Sequence, residues 1–149
     1  MRKGLAALAV AAMSAVLGFA GATAAEAAGG VVIYRAYYDS PGSDTGTNAS
    51  LNAEYIILKN TSTTTKTITG WTLRDRAGHI YKFPTTTIGA SRLLYIRTGK
   101  GTNVAGTRYW NRTWYVWNNT GDTAYLRNTA GTLIHSCGWG SGATYKICA

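Results

Sequence analysis

Five aromatic rings and two arginines fall within the ten residues Arg108-Tyr109-Trp110-Asn111-Arg112-Thr113-Trp114-Tyr115-Val116-Trp117. Rings beside guanidinium groups make a binding surface. Sugar rings stack on tryptophan and tyrosine faces, and nucleobases do so at ~1–3 kcal/mol each. Arginine adds bidentate contacts to phosphate or carboxylate. A chain this small cannot bury every one of these rings. Arg108, Tyr109, Trp110, Arg112 and Trp114 are therefore the expected ligand-binding residues. Period-two alternation sets Tyr115 on the side of Trp117, with Trp114 and Val116 on the other. Alternatively, the rings cover one open end of the fold and pack on each other. Tyr34, Tyr37 and Tyr38 pose the same choice more weakly. Arg92, Arg97 and Lys100 form a second basic stretch around a strand, the pattern of a charged protective edge.

Catalytic chemistry finds less support. Five carboxylates follow residue 27: Asp39, Asp44, Glu54, Asp75 and Asp122. Glycoside hydrolysis needs two of them facing each other across a cleft, yet Asp75 and Asp122 read as turn residues and Glu54 opens a strand. His79 alternates with Tyr81 and Phe83 on one strand face. His135 precedes Ser136-Cys137, but no Gly-x-Ser-x-Gly elbow is present. The two histidines do not stand at zinc-ligand spacing from Cys137 and Cys148. The loop Asp39–Asn48 is oxygen-rich, and Asp39, Asp44, Asn48 and Glu54 are the ligand types calcium takes. Its spacing departs from the EF-hand loop, and the same residues make ordinary turns. No catalytic residue, metal or cofactor is expected, so the chain is not read as an enzyme.

The elements that must position these side chains begin after a leader. Met1, Arg2 and Lys3 precede an apolar run from Leu5 to about Phe19, and Ala22-Thr23-Ala24 and Ala25-Glu26-Ala27 follow. This is the layout of a secretory signal peptide over residues 1–27, with cleavage expected after Ala24 or Ala27. Residues 28–149 then form one domain, and no later segment is apolar and long enough to span a bilayer. Without Arg2, Lys3 and Glu26, 13 basic residues face five acidic ones, a net charge of +8. Such a balance suits anionic partners, cell-wall polymers or nucleic acid among them. Cys137 and Cys148 are an even pair in an exported chain and should form a disulfide. It would close a loop of about 12 residues, worth ~2–3 kcal/mol, and pin the C-terminal strand.

Strands are expected at Val31–Tyr34, Glu54–Lys59, Thr67–Leu73, His79–Phe83, Arg92–Arg97, Thr123–Arg127, Thr132–His135 and Thr144–Cys148. Gly70 marks a bulge within the third. Turn signals at Pro41-Gly42, Arg76-Ala77-Gly78, Ile88-Gly89-Ala90 and Asn119-Thr120-Gly121-Asp122 separate them. Short strands at this spacing argue an all-β sandwich or barrel. Gly138-Trp139-Gly140-Ser141-Gly142 reads as a simple connection.

Four stretches in order resemble the lamin tail domain family. They are Asn52-Ala53-Glu54-Tyr55-Ile56-Ile57-Leu58-Lys59-Asn60, Ile68-Thr69-Gly70-Trp71-Thr72-Leu73-Arg74-Asp75, His79–Pro84 with Ile88–Ala90, and Trp117-Asn118-Asn119-Thr120-Gly121-Asp122-Thr123-Ala124-Tyr125-Leu126. With the leader, the likeness is to a bacterial secreted member. The resemblance implies an immunoglobulin-like β-sandwich with Trp71, Leu73 and Trp117 in its core. It also implies a tight turn where Gly121 supplies a positive φ and Asp122 bonds backbone amides. The family has no established catalytic site.

The expected function is thus a secreted, non-catalytic binding or structural module. It would bind an anionic extracellular or cell-envelope polymer, or alternatively nucleic acid or a protein partner. The expected location is extracellular or on the cell envelope, as a monomer.

Overall fold

Runs of β-branched and aromatic residues become strands here because each can bury one face and leave the other open. The computed structural model describes residues 30–149; the expected signal peptide over 1–27, with its cleavage site, lies outside the described residues. In chain order come β1 (Val31–Tyr37), α1 (Asn48–Ala53), β2 (Tyr55–Asn60), β3 (Lys66–Thr67), β4 (Thr72–Arg74), β5 (Ile80–Lys82) and β6 (Thr87–Ile88). They are followed by β7 (Leu93–Arg97), β8 (Thr107–Tyr109), β9 (Gly121–Arg127), β10 (Leu133–Gly140) and β11 (Tyr145–Ile147). Strands take 42% and helix 5% of the described residues, an all-β fold as expected.

A five-stranded sheet of order β11-β1-β2-β7-β8 faces a four-stranded sheet of order β10-β9-β4-β5. The short pair β3-β6 stands apart from both. Ile33, Ile56, Leu58, Leu94 and Ile96 point inward from the first sheet to meet Leu73, Ala124, Leu126 and Tyr81 from the second. In β9, Asp122, Ala124 and Leu126 are buried while Thr123, Tyr125 and Arg127 are half-open. That alternation is the one expected from period two. The expected disulfide joins Cys137 on β10 to Cys148 just past β11. It therefore links an edge of one sheet to an edge of the other.

Four expectations need correction. Thr67–Leu73 is not one strand: Gly70, at φ 77°, turns the chain from β3 to β4, and its amide bonds the Phe83 carbonyl. The glycine marks a change of sheet rather than a bulge. The basic stretch around Arg97 is not an edge, because β7 lies between β2 and β8. Gly138, Trp139 and Gly140 belong to β10, and Trp139 is buried with its ring stacked 4.9 Å from that of Tyr38. Finally, no strand runs from Trp114 to Trp117. Val116 and Trp117 are both buried because their backbone amides both donate to Glu54, which overrides alternation.

Candidate functional site

The outer face of the five-stranded sheet carries its own pattern of rings and cations. Register sets Tyr145, Tyr37, Tyr55, Arg97 and Tyr109 in one row across all five strands. The next row is Ile147, Arg35, Ile57, Tyr95 and Thr107. Beyond it lies Lys59, opposite Val32 and Leu93. The register shift between Ile33 and Arg35 inserts Tyr34 as an extra residue, beneath Lys59 and Arg35.

These side chains hold one another. The Tyr37 ring is sandwiched between Tyr55, at 4.6 Å, and Tyr145, at 5.1 Å. Tyr55 also leans on Tyr95 at 5.8 Å. The Arg35 guanidinium lies 5.3 to 5.7 Å from the rings of Tyr145, Tyr34 and Tyr37, and donates to the Tyr37 hydroxyl at 3.2 Å. That hydrogen bond pushes its pKa further up, so it stays charged. Arg97 sits 5.0 Å from the Tyr55 ring and donates to the Asn52 carbonyl. Burial pushes the Tyr55 phenol up, so it stays neutral. Cation–π contact fixes these cations while leaving charge to be shared outward. A groove of about 380 Å³ opens beside the middle of the first row, between Tyr37, Tyr55, Arg97, Pro41 and Asp39.

The acids explain why the cations are unneutralised. Glu54 is fully buried, accepting from the Thr98 hydroxyl and from the amides of Val116, at 3.0 Å, and Trp117, at 3.2 Å. Burial pushes its carboxyl up to about 7. Asp122, also fully buried, accepts from the amides of Arg76, Asn118 and Thr123. Gly121 turns into it at φ 144°, the turn expected from the sequence. Asp75 is fully buried and accepts from the amides of Gly78 and His79. Among the described residues the one close contact between a basic and an acidic side chain joins His79 Nδ1 to Asp75 at 2.6 Å. Every lysine and arginine there lacks a carboxylate partner.

The five expected ligand residues are divided. Arg108 pairs in register with the inward Ile96, so it points away from the outer face. Its guanidinium is spent on the Thr86 hydroxyl and the carbonyls of Thr85, Val104 and Thr107. Trp110 packs against the core, 5.8 Å from Trp117 and 5.6 Å from Tyr81. Its ring is a wall of the core, not a stacking surface. Tyr109 joins the outer row beside Arg97. Arg112 and Trp114 stand on the loop beyond it, and Trp114 is 60% exposed with its ring over Gly46. The structure thus separates one loop tryptophan from a ring-and-cation face that sequence reading only touched, through Tyr34, Tyr37, Arg97 and Tyr109. Arg35, Tyr55, Lys59, Tyr95 and Tyr145 were missed. The available signal was the alternation of Lys59 with Tyr55, and of Tyr95 with Arg97, within strands of their own.

The oxygen-rich loop Asp39–Asn48, whose residue types calcium could also take, is engaged otherwise. Asp39 and Asp44 both accept from Asn119, Asn48 bonds Lys100, and Glu54 points into the core. Among the described residues no three potential ligands gather. His79 is held by Asp75, an orientation that also suits a general base. Its imidazole has no other hydrogen-bond partner among the described residues.

No match was found among curated proteins. A match to the lamin tail domain family covers residues 24–141. That family is one of non-catalytic, immunoglobulin-like domains that bind or interact. With a two-sheet sandwich and the motif residues in their structural places, the chain belongs to the lamin tail domain family.

Proposed function

We propose that this protein is an exported, monomeric binding module that holds an anionic extracellular or cell-envelope polymer on the outer face of its five-stranded sheet. The observation that carries this reading is the separation of charge: the carboxylates bond amides, hydroxyls and one histidine, and the cations are left without acidic partners. Arg35, Lys59 and Arg97 then supply the charge, and the tyrosines Tyr37, Tyr55, Tyr95 and Tyr109 the hydrogen-bonding edges. Export accords with the leader-like N-terminus and with a structural disulfide.

The ring packing favours this class over base stacking. Tyr37 has both ring faces occupied by neighbouring rings, and Tyr55 has one face on Tyr37. What remains open is ring edges, hydroxyls and cations. Those recognise phosphate, sulfate or carboxylate groups rather than the flat face of a base.

The test is retention of the purified protein on isolated cell wall, DNA and neutral polysaccharide at low and high salt. Retention on wall that falls with salt is expected, with little on the neutral polymer. Arg35→Gln with Arg97→Gln should weaken it about tenfold or more, whereas Arg108→Gln should not. Equal retention by the double variant sinks the assignment. Preference for DNA over wall moves it to the nucleic-acid class.

A further inference from the structure

The four-stranded sheet has an outer face that also carries cations without acidic partners, turned the opposite way. Register lines up Leu133, Arg127, Thr72 and Lys82 across its four strands. The adjacent row is Ser136, Tyr125, Arg74 and Ile80. Leu73, Tyr81 and Leu126, which alternate with these residues, are buried on the inner side. Arg74 and Lys82 are exposed and Arg127 is half-open. Arg127 reaches the Gly131 carbonyl, but none of the three cations has a carboxylate partner. No acidic residue occupies either row.

The domain is therefore a slab with two cationic faces and a mainly apolar filling, in which Glu54, Asp75 and Asp122 are buried on backbone amides. The filling keeps the faces on opposite sides of the molecule, since two sheets stack about 10 Å apart with their inner side chains between them. An extended, stiff polymer lying along one face cannot also lie along the other. We infer that the protein is bivalent for polyanions and bridges two strands of the same polymer, one on each sheet. This rests on the binding role proposed above for the first face. It adds a second site, Arg74, Lys82 and Arg127, with the same ligand chemistry.

Bridging has a concentration signature that simple binding lacks. With few molecules per polymer, each domain links two strands; in excess, every strand is coated separately and links disappear. The experiment uses two colours of beads coated with long-chain inorganic polyphosphate, mixed with the full-length exported protein. Direct binding to a single bead population is measured in parallel. Two variants are compared with the wild type: Arg74→Gln/Lys82→Gln/Arg127→Gln, and Arg35→Gln/Lys59→Gln/Arg97→Gln. Near-UV circular dichroism checks that each is folded.

The wild type should co-aggregate the colours, with a maximum at intermediate protein concentration. The Arg74/Lys82/Arg127 variant should bind single beads within about threefold of the wild type and the Arg35/Lys59/Arg97 variant about tenfold or more weaker, and at matched bead occupancy each should lose about tenfold or more of the mixed aggregates. Wild-type binding without bridging overturns bivalency and leaves the first face standing. Bridging that survives loss of Arg74, Lys82 and Arg127 also overturns it, and points to self-association as the source. Absence of any binding overturns both proposals together.

Discussion

Glu54 has no solvent exposure and accepts three hydrogen bonds, from Thr98, Val116 and Trp117. These bonds favour the charged form, but removal from water opposes it more strongly and the carboxyl rises to about 7. In the unfolded chain it titrates near the ordinary 4.5. Between those values the folded state holds a proton that the unfolded state has released. Stability from this group is therefore full below about pH 4.5 and is lost as pH rises through 7. The loss is on the order of 3 kcal/mol. The urea midpoint should accordingly fall between pH 5 and pH 8, and Glu54→Gln, which mimics the protonated carboxyl, should flatten that dependence. A midpoint in the wild type that does not move would show the carboxylate to be ionised throughout.

At the scale of elements, the disulfide ties β10 to the chain end just beyond β11. β11 has only three residues and pairs solely with β1. Reduction should cost about 2–3 kcal/mol of stability through the freed chain. More specifically, it should release β11, seen as faster hydrogen exchange at Ile147 and Cys148 with little change in β2 or β7. Because Tyr145 is one slice of the Tyr37 sandwich, reduction should also weaken polymer binding. Equal exchange before and after reduction would mean that pairing with β1 alone holds the strand. Most strands were legible from alternation, since burial on one face imposes period two. Helix α1 was not: its six residues, capped by the Thr47 hydroxyl on the Ser50 amide, are too few for a helical period to appear.

The whole molecule sorts its charge: three of the five carboxylates, Glu54, Asp75 and Asp122, turn inward onto backbone amides, Asp39 and Asp44 are held by Asn119, and cations lie outward on both sheets. Buried acids that accept several amide donors are common loop anchors, so the sorting has a structural origin and a functional consequence. Binding to a polyanion should show a log–log salt dependence whose slope reflects the cations engaged. Removing Arg35, Lys59 and Arg97 should reduce that slope by about 2–3. A slope near zero in the wild type would mean that contact is through rings and hydroxyls, as for a neutral glycan. The net charge was plain from composition, but which cations were free was not. Arg108, the first residue expected to bind, proved to be tied to four groups of the protein itself.

The sequence alone determined the all-β class, the order of the motif stretches, the disulfide partners and the turn roles of Asp75, Gly121 and Asp122. Each is local or follows from a single pairing choice. Only tertiary structure decided which rings stay open and which cations meet no acid. Tyr145, Tyr37, Tyr55, Arg97 and Tyr109 are spread along more than a hundred residues and become one row through register between strands. Alternation tells on which side of its own strand a residue lies. It does not tell which strand lies alongside, and that neighbour decides whether a ring stacks, a guanidinium pairs, or a face stays open to a ligand.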